Sequence, residues 1–344
     1  MKQEERDEIC LKLFNKKEND VKWVMYTNYV HTQLINGEDC LRTGLYSWIP
    51  VWNGEVKAFQ TTDPKEYGEY DIIHVNMSGQ DIHIIGLIKE ELKRQGNTTT
   101  KVVANNDYTV ELWQSSFDYL PTMRREINYA DVIFGTEPYQ VGALEVMMGR
   151  KIHTIVHPAF VKRLKTLRPK GEPNSLAVMA HRYDMFIGIP SLVIKGLGYE
   201  TRLIGYEPNA DKKKFVTSCN YNKIMPSTNY MDFCDQLMDN KVVVDPFTLT
   251  SQSRTGWDCA AMGVPLVGSD RNYSVRKCYP FTCCDPNDIK KMRELVKKLL
   301  DDDTFRKKVI DYAQEAVEYV SYRTSKDKYL EALKEGSPNL NKEE

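Results

Sequence analysis

No apolar run in this chain approaches the roughly 20 residues that a membrane-crossing helix needs. Its opening stretch, MKQEERDEICLKLF, is charged throughout, unlike a secretory signal. A cytoplasmic protein is expected. Excess charge of either sign is also missing, since 47 Lys and Arg stand against 48 Asp and Glu for a formal net charge of −1. That balance offers no general attraction to a polyanion, so nucleic acid is not an expected partner. None of the eight cysteines belongs to a C-x2-C pair or a His/Cys ladder. Zinc is therefore not expected, and the thiols read as reduced and scattered. No metal-binding D-x-D run is recognised, which sets an expectation of metal-independent chemistry. No clear internal repeat stands out.

What is present describes a soluble α/β protein. At 344 residues, with 41% hydrophobic and 28% charged residues, the chain is long for one core and comfortable for two. After a charged helix over residues 1–20, strands are predicted at 21–26, 70–76, 101–104, 130–136 and 151–157. Helices fall between them at 82–94, around 119–129, and from Thr136 as cap through Pro138 to Gly149 as terminator. The alternation argues a parallel sheet covered on both faces. Residues 158–173, PAFVKRLKTLRPKGEP, are basic and proline-bearing and read as a linker. The pattern then restarts, with strands at 176–179, 201–204, 223–225, 241–244 and 266–269. Helices are predicted through Ile194 and at 230–238, 257–262, 286–300 and 303–320. A last helix runs through Leu330 into a polar tail, SPNLNKEE, expected to be disordered. The expected organisation is a first domain at 1–157, a linker at 158–173, a second domain at 174–320, and a C-terminal helix and tail at 321–344.

The run KVVVDPFTLTSQSRTGWDCAAMGVPLVGS, residues 241–269, packs strand, polar loop, helix and strand into one unit. Proline at 246 lacks the N–H that would continue a ladder, so the strand stops there. Hydroxyls and Arg254 gather before the helix, where unpaired N–H groups and the positive end of the dipole favour an anion. In the first half, Asn105, Asn106 and Asp107 sit at the tip of a strand, where open α/β sheets place ligands. His31 and the Asn36-Gly37 pair fall in the loop after the first strand, a position that reads as either solvated or functional.

The segment Trp257 to Val267 is similar to the E-A-M-A-x-G-x-P-V-V segment of retaining glycosyltransferases of family four. Ala130-Asp131-Val132-Ile133 with Thr136-Glu137, and Tyr70-Asp71-Ile72-Ile73-His74-Val75, resemble two further strands of that family. The resemblance follows the order of elements along nearly the whole chain. It implies a GT-B fold, two Rossmann-like domains facing each other across a cleft, with the acceptor on the first and the donor on the second. It also implies a hexosyltransferase-type reaction with retention and without metal. No cofactor is expected; the donor is a substrate, a UDP- or GDP-sugar, and the acceptor is a glycan, lipid-linked sugar, protein or small molecule.

By the same resemblance, Asp258 matches the glutamate that holds the nucleotide ribose, and Thr250 falls where a second glutamate lies near the donor sugar. Ser253, Arg254, Thr255 and Gly256 match the turn that meets the phosphates, and Gly37 lies near the glycine-containing first loop. Arg182 matches an arginine for the leaving diphosphate, whereas Ile187 stands where a lysine is usual; Arg254 is expected to supply the missing charge. Asp107 falls on the acceptor-facing pair. Other readings stay open beside these. Asp258 also suits a helix dipole, Arg182 an ion pair with Asp184, Asp107 a turn, Trp257 the core, and Lys212, Lys213 and Lys214 a solvated loop. The alternative functions are a GT-B nucleotide-sugar 2-epimerase and a catalytically impaired sugar-binding protein. The cations Lys162, Arg163, Lys165, Arg168 and Lys170 give the only hint of peripheral contact at the inner membrane surface.

Overall fold

The computed structural model describes residues 21–27, 44–77, 84–107, 109, 111, 120–180, 188–205, 218–226 and 229–340. The expectations placed on the helix at 1–20, on His31 and Gly37, on Arg182, Asp184 and Ile187, and on Lys212, Lys213 and Lys214 lie outside the described residues. The chain divides into two compact units, Met1–Pro158 with Tyr322–Glu344, and Ala159–Ser321.

In the first unit β1 (Trp23–Thr27), β2 (Glu55–Ala58), β3 (Ile72–Met77), β4 (Lys101–Asn106), β5 (Val132–Gly135) and β6 (His153–Thr154) form one sheet in the order 2-1-3-4-5-6. All the pairings are parallel. Its helices are α1 (Trp48–Trp52), α2 (Ile84–Arg94), α3 (Leu120–Ile127) and α4 (Pro138–Met148). Every residue of β3 is buried, as a strand covered on both faces requires. Side-chain alternation then sorts its residues: Ile73, Val75 and Met77 join Ile84, Ile85, Ile88 and Leu92 in one core, leaving His74 and Asn76 on the other face.

The edges differ from expectation. The strand predicted at 151–157 pairs only over β6, and β2, with Val56 its one buried residue, was not anticipated. The cap of α4 is Glu137, not Thr136: the Glu137 carboxylate accepts from Gln140 N at 2.8 Å, while Gln140 Oε1 turns back to accept from Thr136 N at 3.0 Å.

In the second unit β7 (Ser175–Met179), β8 (Glu200–Ile204), β9 (Lys223–Met225), β10 (Asn240–Asp245), β11 (Leu266–Ser269) and β12 (Cys283–Cys284) form a parallel sheet in the order 12-11-10-7-8-9. Counted from β7 this is 6-5-4-1-2-3, the doubly wound order of dinucleotide-binding folds. The helices are α5 (Val161–Leu164), α6 (Ser191–Ile194), α7 (Tyr230–Met238), α8 (Arg254–Met262), α9 (Tyr273–Cys278), α10 (Ile289–Asp301) and α11 (Asp303–Ala316). The helix predicted over 303–320 changes to a 3-10 turn at Val317–Val320.

Residues 158–173 were read as a linker, but Phe160, Val161 and Leu164 are buried, so α5 is part of the second unit's core. Two of the cations there are paired, Lys165 with Glu318 at 2.6 Å and Lys170 with Asp235 at 2.8 Å. A D-x-D spacing does exist, contrary to expectation, in Asp301-Asp302-Asp303. It is a helix junction: Asp302 caps α11 by accepting from Phe305 N at 2.8 Å, and Asp303 pairs with Arg306.

The last helix, α12 (Tyr322–Glu335), returns to the first unit. Its Tyr329 is fully buried among Trp48, Trp52, His74 and Phe134, with ring centroids 4.7 to 5.9 Å away. Trp23 Nε1 donates to Tyr329 Oη at 3.2 Å, which leaves the hydroxyl hydrogen to His74 Nδ1 at 3.1 Å. The tail beyond it is not loose at its start. Ser337 Oγ accepts from Ile133 N at 2.9 Å, and the buried Arg150 donates through Nε to Ser337 O at 2.8 Å. Polar composition suggested disorder, yet backbone groups supply the hold.

Burial lowers the His74 ring from an ordinary 6.5 to about 3. The folded state therefore resists a proton that the unfolded chain accepts. This contribution is fully present above pH 6.5 and is lost as pH falls from there toward 3. At ~1.4 kcal/mol per pH unit, about 2 kcal/mol should be gone by pH 5. Denaturant melts at pH 7 and pH 5 should show that loss in the parent chain and a smaller one in His74→Asn.

Candidate functional site

Val242, Val243 and Val244 of β10 are fully buried, the signature of a central parallel strand. The chain leaves β7 toward β8 on one side, and β10 lies on β7's other side, so the carboxyl ends of β7 and β10 form the switch point where such sheets bind ligands. Asp245 ends β10 there, fully buried, and its Oδ2 accepts from Ser253 Oγ at 2.7 Å. Ser253 has φ 42° and ψ 107°, a conformation side chains other than glycine rarely adopt, and its bond to Asp245 helps to hold it. Ser253 N also donates to Ser251 Oγ at 3.1 Å. The loop is pinned on its far side by Tyr273 N to Ser251 O at 2.7 Å and Ser274 N to Gln252 O at 3.1 Å.

Helix α8 begins at Arg254, three residues earlier than expected, because Arg254 and Asp258 close its first turn as an i,i+4 pair. Gly263 ends it with φ 74°, a left-handed cap. Asp258 is fully buried; its Oδ1 accepts from Arg254 Nε at 2.9 Å and from Tyr230 Oη at 2.7 Å. Arg254 Nη2 donates to Tyr230 Oη at 3.1 Å, and its guanidinium lies 5.4 Å from the Tyr230 ring centroid. Burial raises the Asp258 carboxyl, with Arg254 and Tyr230 pulling the other way. Asp258 Oδ2 is buried and finds no hydrogen-bond partner.

The structure thus gathers Thr250, Ser253, Arg254, Thr255, Gly256 and Asp258 in one turn of the second unit. Asp107 belongs to the first unit, and Gly37 and Arg182 lie outside the described residues. Gly256 sits inside α8 at a close crossing with α9; a Cβ there would meet Ser274 Cβ at 2.7 Å. Trp257 is fully buried, stacked on Tyr319 at 6.3 Å and edge-on to Tyr273 at 6.0 Å, and so is core rather than an open platform.

Two residues of this neighbourhood had no signal in the sequence. Tyr230 lies 28 positions before Asp258, and Asn272, fully buried opposite Ser251, has neither amide atom hydrogen-bonded. A groove of about 430 Å³ bordered by Lys165, Arg168, Met262 and Gln314 lies at the opposite end of α8 and shares none of these site residues.

In the first unit Asp107 follows β4, with its side chain 37% exposed. His157 Nε2 is 3.1 Å from Asp107 Oδ1, and Trp48 Nε1 donates to His157 Nδ1 at 3.1 Å. Asn105 Nδ2 donates to Asn76 Oδ1 at 3.2 Å across β3 and β4. Among the described residues no group of three or more His, Cys, Asp or Glu is placed to hold a metal. No described helix is long and apolar enough to cross a membrane.

No family model matches the chain, and no curated protein matches it by sequence. Solved structures do match. Anabaena Alr3699/HepE, in complex with UDP and glucose, aligns with TM-score 0.67 over 92% of this chain and 100% of that chain at 12% identity. Sucrose-phosphate synthase from Thermosynechococcus elongatus aligns with TM-score 0.60 over 78% and 74% at 14% identity. An alpha-glucosyltransferase in complex with UDP and a 13-mer DNA aligns with TM-score 0.58 over 91% and 98% at 12% identity. Identities this low speak to architecture alone, and on that footing the chain has the GT-B fold, built from two Rossmann-like units with parallel six-stranded sheets.

Proposed function

We propose that the protein is a glycosyltransferase that moves a sugar from a UDP-sugar to an acceptor hydroxyl. The observation that carries this reading is the turn from Asp245 to Arg254, which delivers the N-terminus of α8 to the switch point of a doubly wound sheet. That position suits a diphosphate, because the first N–H groups of the helix lack intrahelical partners and the dipole is positive there. Support comes also from neighbours of the same fold solved with UDP.

In this reading Ser253, Thr255 and Gly256 lie along the phosphates, with Thr250 near the sugar. Arg254, held by Asp258 and Tyr230, faces the leaving diphosphate together with Arg182. Asp258 takes the ribose through Oδ2, the oxygen without a protein partner. Gly37 lets the first loop approach the donor, and Asp107 faces the acceptor. The transfer forms an oxocarbenium-like centre while charge builds on the diphosphate, and preorganised N–H groups with arginine answer that charge. Metal independence, retention of configuration and a cytoplasmic setting belong to the same proposal.

The test is incubation of the chain with UDP-glucose and no added acceptor. Slow appearance of UDP and free glucose is expected, as the sugar passes to water. An epimer formed without UDP release would establish the epimerase instead, and absence of both binding and turnover for UDP- and GDP-sugars would overturn the proposal.

A further inference from the structure

We infer that His157 is a positioning residue that holds Asp107 as the proton acceptor for the incoming hydroxyl. The inference rests on the glycosyltransferase reading for its chemistry, and on three side chains of the first unit for its geometry. His157 is 1% exposed and has a different partner at each ring nitrogen. Trp48 Nε1 has a hydrogen to give and no lone pair to offer, so His157 Nδ1 accepts. The ring proton of the neutral imidazole then sits on Nε2, directed at Asp107 Oδ1 3.1 Å away.

The ring is clamped as well as hydrogen-bonded. A Cβ on Gly44 would meet His157 Cδ2 at 3.0 Å and Cβ at 3.1 Å, so this backbone lies directly against the imidazole. Trp48 is itself fully buried, edge-on to Tyr329 with centroids 5.1 Å apart. Its indole cannot swing away without disturbing that aromatic cluster. A rigid donor thus fixes Asp107 through one oxygen, and the carboxylate keeps Oδ2, which no hydrogen bond reaches among the described residues, for the substrate.

The step balances as follows. The acceptor hydroxyl gives its proton to Asp107 Oδ2 as its oxygen forms a bond to the anomeric carbon. The bond from that carbon to the phosphate oxygen breaks, and its electron pair leaves with UDP. Asp107, partly exposed, then returns the proton to water. His157 keeps its own proton throughout and acts only through Asp107. The residue type suits the task, because second partners that fix the orientation of a reacting group change rate more than affinity.

The test has two arms. With 15N-labelled histidine, the resonances absent from His157→Gln should show the Nε2–H tautomer in the parent chain, and Trp48→Phe should lose that single-tautomer pattern. Finding the Nδ1–H tautomer in the parent chain overturns the inference whatever the donor is. In the second arm, UDP-glucose hydrolysis is followed with water as the acceptor. His157→Leu should lower kcat about 10- to 100-fold, within the range of a lost general base, and leave the KM for UDP-glucose unchanged. His157→Gln, whose amide N–H stands near Nε2, should stay within about threefold of the parent. Asp107→Asn should be as slow as His157→Leu, and the double variant no slower. A merely structural role would instead lower the melting temperature of both His157 variants and leave kcat per folded molecule unchanged, which overturns the inference. If the parent chain turns over no nucleotide sugar, the glycosyltransferase reading fails while the tautomer arm still decides whether His157 positions Asp107.

Discussion

Arg254→Ala is expected to lower the unfolding free energy of the second unit by about 3–5 kcal/mol, because it strips a buried carboxylate of its ion partner. Asp258 is fully buried and its Oδ2 already lacks a hydrogen bond, so only Arg254 and Tyr230 compensate the charge. Burial already raises the Asp258 carboxyl, and without the guanidinium the group should fold protonated. Urea melts followed by tryptophan fluorescence read the loss. Arg254→Ala with Asp258→Asn should recover much of it, giving a coupling of about 1–3 kcal/mol between the two positions. A stability within about 0.5 kcal/mol of the parent for Arg254→Ala alone would mean the pair does not form as described. Loss of turnover in this variant is therefore no proof of phosphate contact. Arg254→Lys is the better kinetic probe, since it keeps a cation but not the planar fork that serves Asp258 and Tyr230 together.

The first unit should be as sensitive at Tyr329. Tyr329→Ala removes a ring enclosed by Trp48, Trp52, His74 and Phe134, and it takes from Trp23 Nε1 and His74 Nδ1 the hydroxyl they share. Truncating a buried aromatic costs about 3–5 kcal/mol from transfer and cavity terms, and the orphaned indole N–H adds to it. Tyr329→Phe keeps the ring and should cost only about 1–2 kcal/mol, the share of the hydroxyl. Hydrogen exchange should show the difference in β1 and β3, where Trp23 and His74 reside. Equal and small effects for both variants would show that α12 does not anchor the first unit.

The central strands were legible because burial on both faces leaves a continuous apolar or β-branched run, as in VVV of β10 and LAV of β7. The edges were not. β2, β6 and β12 are two to four residues long and half-exposed, too short for any periodicity to show. The turn before α8 was visible from its proline, hydroxyls and glycine, but not the fact that Arg254 and Asp258 face each other. Their i,i+4 spacing is compatible with a pair and equally with two ligand contacts, and burial decides between the roles. Contacts across long separations left no trace at all. His157 meets Asp107 from 50 positions away and Trp48 from 109, and Tyr329 reaches His74 across 255. The tail misled for a related reason, since Ser337 is held largely by backbone groups that composition does not report.

The placement of the donor at the N-terminus of α8 is tested most directly by hydrogen–deuterium exchange with and without saturating UDP-glucose. The account predicts slowed exchange in peptides covering residues 245–257, where the turn and the first N–H groups of α8 lie, and no change in peptides at the Met262 end of the same helix. UDP-glucose that binds without protecting residues 245–257, or fails to bind at all, would contradict it.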